Sequence, residues 1–437
     1  MLKFRRILFS VLALGLLLQA CKPEEVIIIP VSTNPPEETP EEPKDTTSTQ
    51  TPTDPPKPQA DPAIIPNAMT TFPSVYINTP GKVGVNSKDV WVELAQLVIK
   101  GEENKTLYQD DSLKIRGRGN STWWYPKKPY YIKLDHQADL LGTGKSKKWV
   151  LMANWMDRTL LRNVVAFEAA RRTSIKWNPS GRFVELYLDN KYLGVYWLGE
   201  KIDVEGSKFT ANFLFSFDTS DDRERDFISS GTFRANNWQW GAPVEVKYPD
   251  RDKYTEKQFE VIMNNAKKVV NMMTDDIAAG KLTTIDIDSF CDWYLVHELC
   301  LNLEPNHPKS CYFFWHDGKM YAGPVWDFDW WTFIPDQNWM GIPNALWFQT
   351  LLKNATFKQH LKRRWAQLKP AFETLPDYID AQADLLRPYE PANHNLWPCD
   401  SSDVNGDETL TFQEAVDRMK LALTQRISYL DKAIPAL

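Results

Sequence analysis

Gly323-Pro-Val-Trp-Asp-Phe-Asp-Trp330 is the stretch on which the reading of this chain turns. Asp327 and Asp329 stand two apart among aromatics, so in extended chain their carboxylates share one face. Burying such a pair is costly unless a cation neutralises it, so a metal site and a structural carboxylate pair both fit. Just upstream, Asp317-Gly318 separates Ser310–Trp315 from Lys319–Val325 and predicts a hairpin. The hairpin folds the chain back, so Glu304 before it and Asp327 after it meet at one open end. A carboxylate, a short hairpin and then a metal-binding Asp is the layout protein kinases use for base and magnesium.

A second segment matches this one in character. Ile115-Arg-Gly-Arg-Gly-Asn-Ser-Thr-Trp123 ends a strand-like run and is followed by Pro126-Lys-Lys-Pro-Tyr-Tyr-Ile-Lys-Leu134. Glycines between Arg116 and Arg118 allow backbone N–H groups to approach an anion, and the arginines add forked hydrogen bonds to phosphate. A β-turn with solvated arginines explains this segment alone equally well.

Between and around these segments the pattern predicts strands at Ser74–Asn78, Val90–Ile99, Leu113–Arg118, Pro129–Asp135 and Lys148–Ala153. A helix over Arg158–Arg172 follows, with Asp157 as its N-cap. Phe183–Leu188 and Tyr192–Leu198 form a hairpin around Asp189-Asn190, and Thr232–Ala235 and Pro243–Tyr248 are further strands. Thr255-Glu-Lys-Gln258 is a capping box, opening a helix that stops near Gly280. Helices then dominate, over about Ile287–Leu301, Thr356–Phe372, Pro376–Leu386 and Phe412–Ala433. Strands first and helices afterwards predict an α+β fold.

The N-terminus is a different kind of sequence. Lys3, Arg5 and Arg6 precede an apolar run to Leu18, and Leu18-Gln-Ala-Cys21 resembles a bacterial lipoprotein cleavage box. Residues 1–20 therefore read as a signal peptide, too short to span a membrane, with lipid expected on Cys21. Residues 21–68, rich in Pro, Thr and Glu, read as a tether, and 69–437 as one large domain. The predicted place is the cell envelope, lipid-anchored to the outer membrane. A net charge of −6, without basic runs among aromatics, argues against nucleic acid. The 18 Trp suit a large core or a platform for sugars.

Other motifs fall short. Cys291 and Cys300, nine apart on a helix, would lie about 13 Å apart, so buried free thiols are expected. Gly142-Thr-Gly-Lys-Ser146 lacks the first glycine of a phosphate loop, because position 139 is Asp139. His297-Glu298 lacks the second histidine of a zinc helix, because Leu301 stands there. Asp403-Val-Asn-Gly-Asp407 through Glu414 resembles a calcium loop, but Glu408 occupies the turn position that needs Gly, so calcium is not expected.

The ordered set Arg116-Gly-Arg-Gly-Asn-Ser-Thr-Trp123, Lys127-Lys-Pro-Tyr130, Asn154 to Asn163 ending in Leu161-Arg-Asn163, Tyr192-Leu-Gly-Val-Tyr196 with Glu200, and Trp326-Asp-Phe-Asp329 resembles the spore-coat protein H (CotH) kinase family. The resemblance implies an atypical protein-kinase-like fold and phosphoryl transfer from ATP, with Mg²⁺ or Mn²⁺, to hydroxyls of an envelope or extracellular protein. It implies that Lys127 or Lys128 holds the α/β-phosphates, paired with Glu200, while Arg116, Arg118 and Asn120 line the phosphates. Asp327, with Asp329, would bind the metal. The family's base lies 23 residues before the metal Asp, and 327 − 304 = 23 selects Glu304. Two positions depart from the pattern. Glu304 replaces Asp at the base, and Lys309 stands where Asn could hold a second metal ion, a place from which it can contact only phosphate. Those departures keep a second reading open: a non-catalytic kinase-like module binding a glycan or partner protein.

Overall fold

The apolar alternation from residue 74 to residue 200 closes into a barrel. The computed structural model describes residues 72–204, 209–217, 227–229, 243–398 and 404–437. Its first seven strands are β1 (Ser74–Asn78), β2 (Val92–Lys100), β3 (Thr106–Gly117), β4 (Tyr130–Asp139), β5 (Lys145–Met152), β6 (Gly181–Leu188) and β7 (Lys191–Glu200). They run in the order β1-β2-β3-β4-β5-β7-β6, and β1 pairs in parallel with β6 to complete the ring. Closure leaves no unpaired edge. Val75, Leu97, Ile115, Ile132, Trp149 and Leu198 fill the interior. Because side chains alternate along a strand, Ile115 facing in puts Arg116 on the outer face. The expected hairpin turn between β6 and β7 is present, with Asp189 and Asn190 at φ 51° and 67°.

A second sheet contains β8 (Phe213–Phe217), β9 (Phe227–Ser229), β10 (Pro243–Tyr248), β11 (Cys311–His316) and β12 (Lys319–Ala322), in the order β12-β11-β8-β10-β9. Every residue of β8 is buried, so it lacks the alternation that reveals a half-exposed strand. The strand expected over Thr232–Ala235 lies outside the described residues, as do the signal segment, Cys21, the tether, Cys399 and Asp403.

Eight helices complete the described part: α1 (Arg162–Arg171), α2 (Glu256–Ala278), α3 (Ile287–Cys300), α4 (Phe348–Leu351), α5 (Ala355–Phe372), α6 (Leu375–Leu386), α7 (Glu390–Leu396) and α8 (Phe412–Ala436). Helix α3 is buried at every residue from Ser289 to Cys300, and α1, α5, α8 and β12 pack around it. A helix apolar on all sides belongs at the centre of a core. The expected capping box of Thr255 with Gln258 opens α2, and a second, Thr411 with Glu414, opens α8. Helix α1 starts later than expected. Leu160 has φ 59°, and the Asp157 carboxylate instead accepts the N–H groups of Thr159 and Arg162, fixing the turn that precedes the helix. Among the described residues no helix is long and apolar enough to cross a membrane. The fold is α+β, a β-rich first part followed by a helical one.

Candidate active-site cleft

The segment after β3, the segment after β5 and the loops flanking the β11–β12 hairpin surround a cleft of about 420 Å³. The hairpin turns as its sequence predicts, with Asp317 and Gly318 at φ 48° and 74°. Glu304, Lys309, Asp327 and Asp329 line the cleft from the loops flanking that hairpin, and Arg118, Asn120 and Lys127 from the segment after β3.

The acidic wall is assembled differently from the extended strand that the spacing suggests. Asp327 has φ 68°, so the chain turns sharply there, and the Asp327 and Asp329 carboxyls lie close enough to interact electrostatically. Ser310 Oγ donates to Asp327 Oδ2 at 3.0 Å, and Asn302 Nδ2 donates to the Asp327 carbonyl at 3.1 Å. The intervening Phe328 N–H donates to Asn163 Oδ1 at 2.7 Å. Burial, then the neighbouring Asp327 and Asp157, push Asp329 up to about 8. Burial and a neighbouring negative charge both favour the protonated form of Asp329.

Glu304 opens a short 3₁₀ turn after α3, where its N–H donates to Asn302 Oδ1 at 2.9 Å. Its Oε1 is 3.6 Å from His307 Nε2, while Oε2 is buried with no hydrogen-bond partner among the described residues. Burial raises the carboxyl, His307 opposes that rise, and Asp327 adds to it. A partnerless carboxylate oxygen in a cleft is a ready proton acceptor.

In the segment after β3, Arg118 lies 5.4 Å over the Trp326 ring; burial lowers its guanidinium, and Asp327, Tyr312 and Asp329 hold it up. Lys127 is 1 % exposed. Its Nζ donates to the Val195 carbonyl at 2.5 Å and to Asn393 Oδ1 at 2.9 Å, with the Tyr196 ring 4.7 Å away. Burial carries this ammonium well below its ordinary value. Both donations go to β7 and α7, so Lys127 does not pair with Glu200. Glu200 is buried at the end of β7, away from the cleft lining.

Two other sequence candidates also lie apart. Arg116 sits 4.6 Å over Trp91 and 5.4 Å over Tyr131 on the barrel's outer face. Lys128 donates to the Trp123 carbonyl at 2.6 Å and covers the Trp123 ring. Gly117 serves packing: a Cβ there would stand 2.2 Å from the Trp123 indole. Gly194 adopts φ 90°, and a Cβ would meet Asn393 Oδ1 at 2.6 Å, so glycine lets α7 reach Lys127.

Sequence reasoning missed Asn393, which sits on a short helix without a periodic signal. It also passed over His307. Asn154 and Asn163 lay inside a quoted motif without a role; their amides are joined at 3.3 Å, and Asn154 lines the cleft. The decoys are structural. His297 is held near 3 by burial, with Nδ1 at 2.8 Å from the Trp293 carbonyl. Glu298 accepts the Gly341 and Ile342 N–H groups. Cys291, Cys300 and Cys311 are free and buried.

Any cation here would have to complete its coordination with ligands from outside the protein. Among the described residues no group of three or more His, Cys, Asp or Glu could hold a metal ion. Mg²⁺ is commonly bound by one or two carboxylates together with substrate phosphates and water, and Asp327 with Asp329 supplies such a pair.

No curated protein matches the chain. The family model described as CotH kinase protein matches residues 115–430. That span contains the whole cleft, and the chain belongs to the CotH kinase family.

Proposed function

We propose that this kinase-like protein is an exported phosphotransferase, tethered to the outer membrane by lipid on Cys21, acting on hydroxyls of an envelope or extracellular protein. The observation that carries the reading is the convergence of Asp327, Asp329 and Glu304 with Arg118, Lys127 and Lys309 in the lining of one cleft. When bound, ATP with Mg²⁺ or Mn²⁺ supplies the transferable phosphoryl group and neutralises its charge. Asp327 and Asp329 hold the ion, Arg118 offers a fork of donors to phosphate oxygens, and Lys309 offers a point charge. Glu304 Oε2 takes the proton of the acceptor hydroxyl as its oxygen bonds to phosphorus and the phosphorus–oxygen bond to the nucleotide breaks. The longer side chain of Glu304 fits this role because its turn is anchored by Asn302, with His307 beside the other carboxylate oxygen. A melting comparison tests the reading. Mg²⁺-ATP at 100 times its Kd should stabilise the wild type by about 2.7 kcal/mol and Asp327→Ala not at all. Equal responses in both proteins would sink it.

One observation favours a second reading. Lys127 is fully engaged by Val195 and Asn393 and makes no pair with Glu200, as in a kinase fold kept for binding. A glycan or partner protein would then be the ligand. Retention on an envelope-polysaccharide affinity gel, with no transfer from labelled ATP, would select this reading.

A further inference from the structure

The loop that mimics a calcium site is used for something else. Asn405 is 1 % exposed and Asp407 fully buried. The Asn405 side-chain nitrogen donates to two carbonyls at once, Met156 at 3.0 Å and Asp329 at 2.9 Å. Its Oδ1 accepts the Thr332 N–H at 3.4 Å. Met156 and Asp329 both line the cleft, one in the wall that follows β5 and the other in the acidic wall. A primary amide has two N–H groups, and here each is assigned to one wall.

The loop is itself anchored. Asp407 receives Arg162 Nη2 at 2.6 Å and Arg418 Nη1 at 2.5 Å, and Arg418 also donates to the Asn405 carbonyl at 2.7 Å. Arg162 Nε donates to the Thr332 carbonyl at 3.2 Å, and Thr332 Oγ1 donates to the Phe328 carbonyl at 2.6 Å. The span from Phe328 to Thr332 is therefore held at several backbone points, by Asn405 from the C-terminal loop and by Arg162 from α1.

We propose that Asn405 is a positioning residue, a planar clamp that sets the separation of the two cleft walls and with it the pose of the Asp329 carboxylate. The clamp is independent of any ligand, whereas its consequence for a cation rests on the function proposed above. Asn405 is not part of the cleft lining. Its effect passes through backbone, where a displacement of about an ångström can cost on the order of 10²-fold in a preorganised site.

The test is hydrogen exchange on full-length wild type, Asn405→Ala and Asn405→Ser, with titration of Mn²⁺ alone on the same samples. In Asn405→Ala, the amides of Asp157 in one wall and of Phe328, Thr332 and Phe333 in the other should lose protection together, by tenfold or more. Strand β4 should be unchanged, and Mn²⁺ affinity should fall about tenfold. Asn405→Ser keeps one donor and should release only one wall, which also gives a foldable comparison if the alanine variant does not fold. Unchanged exchange in both walls would overturn the clamp. Opened walls with unchanged Mn²⁺ affinity would overturn its effect on the carboxylate. If the walls open but the wild type itself takes up no Mn²⁺, the clamp stands and the proposed function falls.

Discussion

Two groups of acids lie near Asp329, one fully buried and one lining the cleft, and the protein treats them in opposite ways. Behind the cleft, Asp157 and Asp407 are each met by arginine: Arg162 bridges both, at 2.5 and 2.6 Å, and Arg418 adds a second contact to Asp407 at 2.5 Å. Two carboxylates and two guanidiniums balance there. In the cleft, Asp327, Asp329 and Glu304 converge with Arg118 and Lys309 nearby but with no arginine or lysine in direct contact among the described residues; Ser310 serves Asp327, and one Glu304 oxygen has no hydrogen-bond partner among them. The first group is closed to water and the second is partly open to it, and they differ also in who supplies the counter-charge. Where the chain supplies it, the acids hold the fold. Where the chain withholds it, the acids are available to a ligand.

Breaking the balanced group should produce the largest effect. Arg162→Met leaves Asp157 and Asp407 buried without their shared partner, and should cost about 3–5 kcal/mol in denaturant unfolding. A loss below about 1 kcal/mol would mean that the two groups do not differ as described. In the cleft the outcome should invert. Glu304→Gln keeps shape and removes the proton acceptor, so unfolding should be nearly unchanged while phosphoryl transfer falls on the order of 10²-fold. A large stability loss with normal transfer would make Glu304 structural.

Protonation sharpens the same contrast. Asp329 stands near 8 in the folded protein and near 3.9 when unfolded, so between these values the folded state holds the proton more tightly. Its stabilising contribution is complete below about pH 4 and is lost as pH rises to about 8. A cation must displace that proton, so Mn²⁺ affinity should climb by about tenfold per pH unit across the window and level off above 8. Asp329→Asn should flatten both profiles, and an unchanged slope in that variant would assign the proton elsewhere.

Much of this contrast was readable in the sequence on one side only. The acidic wall announced itself because Trp326-Asp-Phe-Asp329 and the Asp317-Gly318 turn are local, and turn chemistry survives in any context. The barrel was readable strand by strand from alternation, although its closure by β1 against β6 joins segments far apart and has no local signature. The balancing group was invisible. Asn405 and Asp407 looked like metal ligands because side-chain oxygens at loop spacing signal donors without showing where they point, and only the fold turns them onto Arg162, Met156 and Asp329. Likewise Lys127 and Lys128 are adjacent and chemically equal in sequence. The bend before β4 sends Lys127 to Val195 and Asn393 and Lys128 to Trp123.

The smallest expected effect comes from within the balanced group itself. Arg162 and Arg418 both contact Asp407, but their side chains are 0 % and 27 % exposed. When Arg418 is cut to alanine, Asp407 keeps Arg162, and water can reach the place that Arg418 leaves. The loss should therefore be about 1 kcal/mol, near the upper end for partly solvated ion pairs. Arg418 also donates to the Asn405 carbonyl, so the clamp should loosen without opening, and exchange at Thr332 should rise only a few-fold. Should Arg418→Ala cost as much as Arg162→Met, burial would not be what grades the group. The stability would then depend on the number of charges facing Asp407 and not on their access to water.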